Sequence, residues 1–421
     1  MTAFAAPERF LDCVHCGLCH SACPTYVVLG TEADSPRGRI HLMQALAAGT
    51  LPLDAESVRH LDLCLGCRGC ETACPSGVQY GALIEAARPW VEAHHRRPLA
   101  VRLRRRAALA VLPYPRRLRV VLAPLRLLER LGLLDRARRA AGRLPARLRY
   151  LAALVPASLA RARLPARTPA AGPRRAAVQL LAGCVMPELF GATAANTVRV
   201  LARSGCDVEV PRGQVCCGAL SLHGGDRRTA LRLARANVDA LAGSPDAPLV
   251  VNAAGCGAML REYGALLAGE PAYAERARAL AARVRDVTEV LAALGPAPPR
   301  ARPARPLRVA YHDPCHLAHA QGVRDAPRRV LAAIPGVTLV AMADEDLCCG
   351  SAGHYNVMHP VMARRLAARK VAAIRASGAD VVATANAGCA LQLEAGLRAD
   401  GATTPVRHVV DLLAEAYGDA P

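Results

Sequence analysis

Two runs of Cys-x2-Cys-x2-Cys-x3-Cys-Pro stand near the start of this 421-residue chain: Cys13, Cys16, Cys19, Cys23-Pro24 and Cys64, Cys67, Cys70, Cys74-Pro75. Three thiolates at this spacing can wrap one corner of a 4Fe-4S cube, and a fourth completes its coordination. Where two such runs share a chain, the fourth Cys of each ligates the other cluster. The spacing therefore predicts one cube on Cys13, Cys16, Cys19 and Cys74 and a second on Cys64, Cys67, Cys70 and Cys23. The Pro after each fourth Cys, fixed in φ and lacking an amide hydrogen, turns the chain away. The chemistry implied is electron transfer, one electron at a time.

Zinc sites pair two Cys-x2-Cys knuckles, or Cys with His, and leave a triple run with a fourth Cys unexplained. Disulfides need an oxidising compartment. The N-terminus, Met1-Thr-Ala-Phe-Ala-Ala-Pro-Glu-Arg9, lacks the basic stretch and apolar core that direct export. The expectation is a cytoplasmic chain whose thiols are reduced and loaded with iron.

A second cysteine pattern occurs twice in the C-terminal half. The first copy holds Cys184, then Cys216-Cys217-Gly218, then Cys256; the second holds Cys315, then Cys348-Cys349-Gly350, then Cys389. The single Cys precedes the pair by 32 residues in one copy and 33 in the other, and the pair precedes the last Cys by 39 and 40. With shared flanks, Asn252-Ala-Ala-Gly-Cys256 against Asn386-Ala-Gly-Cys389, these spacings mark a duplication. Adjacent cysteines bridge one another poorly but can bind different irons of one cluster. Each copy therefore reads as a four-cysteine metal site, for an iron-sulfur cluster or for zinc, with a regulatory thiol set as the remaining alternative. These sets use 16 of the 17 cysteines and leave Cys206, read as a core residue. His223, His312, His316 and His354 flank the motifs and could hydrogen-bond to sulfur or relay protons. A histidine near a loop is commonly only a satisfied polar residue, so no catalytic residue is assigned.

The elements that must position these cysteines follow from the apolar pattern. Residues 176–182, 307–312, 248–252 and 380–384 read as strands ending at or just before Cys184, Cys315, Cys256 and Cys389. Helical periodicity covers 193–203, 227–241 and 361–374. Strand and helix in alternation imply a parallel sheet, whose ligands gather at the carboxyl ends of its strands. All eight cysteines are expected in loops there.

A hydrophobic content of 52% supports real cores, and no stretch of about 18 residues is free of charge, so no transmembrane helix is expected. The net charge of +20 is concentrated. Residues 96–175 carry 22 Arg against only Glu129 and Asp135, which equals the whole excess. Segments such as Leu118-Arg-Val-Val-Leu-Ala-Pro-Leu-Arg-Leu-Leu-Glu-Arg130 suit a basic amphipathic helix on an anionic membrane face or an acidic partner. Solvated surface helices are the plainer alternative. Nucleic acid is not expected as a partner, because no recognition motif accompanies the charge.

Together these residues resemble a known family, the iron-sulfur subunits of glycolate oxidase, the quinone-linked bacterial glycolate dehydrogenase. The resemblance rests on Cys13-Val-His-Cys-Gly-Leu-Cys19, Ser35-Pro-Arg-Gly-Arg-Ile40, Cys70-Glu-Thr-Ala-Cys-Pro-Ser-Gly-Val78 and Leu347-Cys-Cys-Gly-Ser-Ala-Gly353, and covers nearly the whole chain. It implies FAD-containing partner subunits that oxidise a 2-hydroxy acid, glycolate to glyoxylate. This chain would be the non-flavin subunit of the oxidoreductase, passing electrons towards the quinone pool from the inner face of the cell membrane. The same role for lactate or glycerol 3-phosphate is the alternative substrate reading. Heterodisulfide-reductase-like domains add a fifth Cys for a non-cubane cluster and thiol-disulfide chemistry. Here Met259 and Gln392 occupy those positions and argue against that branch. No Gly-x-Gly-x-x-Gly opens a helix after a strand, so no flavin or dinucleotide site is expected on this chain.

The architecture expected is a multidomain α+β chain. An all-helical two-cluster ferredoxin domain spans 1–95 and an Arg-rich helical connector 96–175. Two duplicated α/β cysteine-rich domains with parallel sheets follow at 176–295 and 307–421, joined by a Pro-rich stretch, 296–306.

Overall fold

A computed structural model describes residues 8–297 and 305–418. Most of the N-terminal segment behind the export expectation, and most of the Pro-rich stretch, lie outside the described residues.

The first described part is helical, with helices Pro24–Leu29, Pro36–Ala48, Ala55–Leu63 and Tyr80–His94 as its main elements. Local sequence fixes their starts. Ser35 accepts a hydrogen bond from the Gly38 amide at 2.9 Å with Pro36 in the first turn, and Asp54 accepts from the Ser57 amide at 2.8 Å. Ile40, Met43, Leu46, Val58, Leu61, Leu83, Ile84 and Trp90 turn inward to form one core, and Cys64 and Cys70 are packed into it. The cysteine runs are thus short segments, irregular apart from the single turn Gly69–Thr72 that carries Cys70, tied to a helical body.

The Arg-rich segment forms four helices, Leu99–Val111, Pro115–Arg130, Leu134–Ala141 and Ala146–Ala153. Leu118, Leu122, Leu134 and Leu159 make a small core of their own. The segment is moored by Glu188, whose carboxylate meets Arg119 at 2.8 Å, Arg126 at 3.1 Å and Arg161 at 3.4 Å. The segment is not helical throughout. Strand β1, Arg167–Thr168, pairs antiparallel with a later strand and forms the edge of the first sheet.

Eight further strands follow: β2 Ala176–Leu180, β3 Cys206–Glu209, β4 Leu249–Val251, β5 Val284–Asp286, β6 Leu307–Tyr311, β7 Val337–Val340, β8 Val381–Thr384 and β9 Val406–His408. The sheets run β1-β3-β2-β4-β5 and β7-β6-β8-β9, and every pair except β1–β3 is parallel. Without β1 the two orders are the same, so the duplication read from the cysteines is also a duplication of topology. In each sheet the chain starts in the middle, goes to one side and then crosses to the other. That reversal leaves a crevice beyond the carboxyl ends of β2 and β4, and of β6 and β8.

The two copies share one core. Helix Gly191–Arg203 of the first packs on Val409–Ala416 of the second, and Val287–Leu294 of the first packs on Asp325–Ala332 of the second. The exchange is reciprocal, as a pseudo-twofold relation requires. It sets the cysteine-bearing ends side by side, where the Ala254 amide donates to the Ala385 carbonyl at 3.3 Å.

Candidate metal centres

Cys13, Cys16, Cys19, Cys70 and Cys74 line one small cavity together with Gly17, Arg37, Ile40 and Tyr80. All four residues that the crossed assignment gives to the first cube are among them, with Cys70 of the other set at its wall. Cys16 is exposed and the other three are partly so. Cys23, Cys64, Cys67 and Cys70 are buried, and Cys23 and Cys64 both act electrostatically on Cys67 and Cys70. A converging set of thiols free of disulfides is the donor chemistry a 4Fe-4S cube requires.

Charge around the two sets differs. Arg37 binds the His15 carbonyl at 2.7 Å over the first cavity and pairs with Glu32 at 2.9 Å. Its hydrogen bond draws the Glu32 carboxyl down to about 2. Arg39 is wholly buried beside the second set. It lies 3.9 Å from Cys23 Sγ, 3.0 Å from Thr25 Oγ1 and 2.7 Å from the His60 carbonyl, and it faces Asp34 at 3.4 Å. Burial pushes the Cys64 thiol up, but the charges of Arg39 and Arg88 and a hydrogen bond from Tyr80 outweigh it and bring its pKa down. Two arginines of one helix, two residues apart, therefore each serve one set.

In the C-terminal half, the cysteines gather at the carboxyl ends of the parallel strands. Cys184 Sγ lies 3.5 Å from Cys216 Sγ, and Cys217 and Cys256 are hydrogen-bonded neighbours. In the second copy Cys315 Sγ lies 4.0 Å from Cys348 Sγ, and Cys349 contacts Cys389. The expectation that all eight sit in loops is corrected for three of them. Cys256, Cys315 and Cys389 occupy the first turns of helices Ala254–Arg261, Cys315–Ala318 and Ala387–Ala399. Hydrogen bonds from neighbouring thiols pull Cys216 and Cys349 down, while Cys184, Cys217, Cys348 and Cys389 are raised. Both glycines of the Cys-Cys-Gly motifs are left-handed, at φ +93° for Gly218 and +91° for Gly350. A Cβ on Gly350 would come within 2.9 Å of the Ala363 carbonyl, so the turn that splays the two thiols accepts only glycine.

The helical body docks on these same strand ends. Cys67 packs in one cluster with Cys348, and Cys315 lies against it. His316 Nε2 meets the Gly66 carbonyl at 2.9 Å, Tyr355 donates to the Leu63 carbonyl at 3.0 Å, and Arg68 pairs with Glu262. The second cysteine set of the N-terminal part therefore adjoins the site of the second copy.

Sequence comparisons agree. A 4Fe-4S dicluster domain matches residues 9–78 and a cysteine-rich domain matches 178–261 and 309–394. The chain is 38% identical to the probable glycolate oxidase iron-sulfur subunit of Bacillus subtilis (strain 168), over 97% of this chain and 94% of that one. The glycolate oxidase iron-sulfur subunit of Escherichia coli (strain K12) is 36% identical over 98% and 96%. This chain belongs to the family of glycolate oxidase iron-sulfur subunits. Lactate utilization protein A of Shouchella clausii (strain KSM-K16) is 30% identical but matches only 56% of this chain, with 98% of its own length.

A member of this family is the iron-sulfur, electron-transferring component of an oxidoreductase, carrying 4Fe-4S clusters. The flanking histidines take several roles. His316 is half-buried and His354 buried, and desolvation pulls them down to about 4 and about 3, which keeps them neutral. His223 pairs with Glu85 at 3.3 Å and stacks at 5.4 Å from His316, at the junction of the three parts. His312 faces Cys349 and Cys389. Sequence reasoning assigned no part to Arg37 and Arg39, although the motif that holds them was noticed. It also passed over Lys370, buried near Cys348 and Cys349. A signal was available, since Lys370 is the only Lys among 54 basic residues.

Proposed function

We propose that this chain is the electron-transfer subunit of a complex in which a separate flavin-bearing subunit oxidises glycolate to glyoxylate. Electrons would leave towards membrane quinone. The observation that carries the reading is the order of the cysteine sets, from exposed Cys16 through the buried Cys23 set to Cys67, which packs beside Cys315 and Cys348. A 4Fe-4S cube held at each of the two N-terminal sets supplies one-electron carriers that a two-electron flavin donor needs. Cys13, Cys16, Cys19 and Cys74 would hold one and Cys64, Cys67, Cys70 and Cys23 the other. Leu11, Val14 and Leu18, at 71, 66 and 59% exposure, surround Cys16 with the apolar rim a docking subunit would cover.

Among the described residues, eight of the twelve large exposed hydrophobics fall between Leu99 and Leu148, among the arginines. That pairing supports contact with an anionic membrane surface over mere solvation, as a peripheral subunit on the inner face would make. No helix among the described residues is long and apolar enough to cross a membrane.

In the intact complex, Cys16→Ser and Cys67→Ser should each abolish glycolate-dependent reduction of a quinone analogue while the flavin subunits stay bound. Activity retained in both variants would refute the proposal. A substrate panel with lactate and glycerol 3-phosphate decides the donor.

A further inference from the structure

The two cysteine-rich copies share topology, yet they surround their cysteines with different chemistry. Counting back from Cys184 and Cys315 pairs Leu181 with His312. Leu181 is part of an apolar wall beside Cys184, Cys216 and Cys217. His312 is 0% exposed, and its ring nitrogens meet no nitrogen or oxygen partner, the Cys349 thiol being the polar group beside it. One ligand atom each from His312, Cys349 and Cys389 lies within 4.8 Å of the others. Ala230 and Ala363 back the two motif glycines in the same way, and counting on from them pairs Asn237 with Lys370. Asn237 is satisfied by neutral partners, donating to the Cys216 carbonyl at 3.0 Å and accepting from the Val215 amide at 2.9 Å. Lys370 brings a buried cation near Cys348 and Cys349 and donates to the Asp344 carbonyl.

A buried imidazole whose only polar neighbours are thiols is costly unless something takes its lone pair. The residue at the position of a fifth cysteine is not free to complete the site. Gln392 Oε1 accepts from Tyr150 at 2.8 Å and from Asn356 at 3.1 Å, and its Nε2 donates to the Ala363 carbonyl at 3.0 Å. An imidazole nitrogen converging with thiols is the donor set that zinc takes as Cys3His, and that iron takes where His replaces Cys at a cluster.

We infer that His312 is a metal ligand of the second cysteine-rich site, its imidazole joining Cys349 and Cys389, so that this site is mixed nitrogen and sulfur while the first is thiolate only. The inference rests on the reading that the Cys-Cys-Gly copies bind metal. The imidazole adds a ligand without adding negative charge to the four thiols both copies carry, and Lys370 makes the second site the more positive of the two. The two copies are then not equivalent, and the one beside Cys67 is the one better suited to hold added negative charge.

The test uses the full chain, purified anaerobically with and without 15N-histidine. Its metals are counted, pulsed EPR is recorded for iron beyond the two cubes, and X-ray absorption is recorded at the zinc edge. The inference expects either a nitrogen coupling that changes with the label or imidazole scattering around zinc. His312→Leu, which installs the residue of the first copy, should abolish that signal and leave the cube signals intact. His312→Cys should keep the metal and lose the nitrogen. Sulfur-only coordination in the unmutated protein, an unchanged spectrum in His312→Leu, or no metal beyond the two cubes would each overturn the inference while leaving the cubes standing. Absence of the cube signals themselves would instead overturn the electron-transfer reading.

Discussion

Replacing Arg39 with Gln should lower the reduction potential of one cluster and leave the other in place. Arg39 Nη1 lies 3.9 Å from Cys23 Sγ, and its charge also acts on Cys64. A unit charge about 4 Å away is worth about 4 kcal/mol at an effective dielectric of about 20. An added electron is spread over the whole cube, so doubling the mean distance leaves about 2 kcal/mol. For a one-electron couple about 59 mV is a tenfold change, so the shift works out at about 90 mV to more negative potential. Folding suffers as well, because Asp34 keeps His60 at 2.9 Å but loses its buried cation, at a cost of about 3–5 kcal/mol. Arg39→Lys separates the two effects, since it keeps the charge and gives up the forked geometry. EPR-monitored redox titration of both variants reads the result. The Gln variant should move the Cys23 cluster alone, and the Lys variant should stay near the wild-type potential. An unmoved cluster in Arg39→Gln would refute the electrostatic argument, and a shift in the Cys16 cluster instead would refute the crossed ligand assignment.

Other perturbations have equally definite outcomes. Gly350→Ala forces a Cβ towards the Ala363 carbonyl at φ +91°, a strain of about 1–3 kcal/mol, and should strip metal from the second cysteine-rich site in metal analysis while sparing the N-terminal clusters. Burial raises the Glu188 carboxyl, but Arg119, Arg126 and Arg161 outweigh it and hold it below its ordinary range. Its contribution to mooring the Arg-rich helices is therefore complete above the unfolded value of about 4.3 and fades only as pH falls through the lowered one. Protection factors for hydrogen exchange across 99–153 should be the same at pH 7 and pH 5, and lower in Glu188→Gln at both; loss of protection between those two pH values would contradict the assignment. Vesicles containing anionic lipid should retain the chain at low salt and release it at about 0.5 M salt, and Val120→Ser with Leu127→Ser should weaken retention. Equal binding to neutral vesicles would remove the basic segment from the account.

What the sequence disclosed was set by local chemistry. The spacing of Cys13 to Cys23 and of Cys64 to Cys74 reflects what three thiolates on one short segment can reach, so it survives translation into structure. The β-branched strands ending before Cys256 and Cys389 were legible for a similar reason, because central parallel strands are apolar on both faces. The outer strands were not. Val284–Asp286 and Val406–His408 are three residues long and run straight into helices, and Cys206–Glu209 alternates like any half-covered segment. Cys206 was recognisable as a core residue, and it sits fully buried in β3. The arrangement around the sites depended on contacts remote in sequence. Nothing near Arg39 announces Cys23 and Cys64 as its neighbours, and nothing near Cys67 announces Cys315.

The central claim, that this chain carries electrons from a flavin partner through two cubes, is met most directly by EPR of the intact, anaerobically purified complex before and after glycolate. The account predicts signals from both cubes on adding glycolate alone, matching a substantial part of what dithionite elicits from about eight irons. A complex that consumes glycolate while its dithionite-reducible cubes remain oxidised would contradict it.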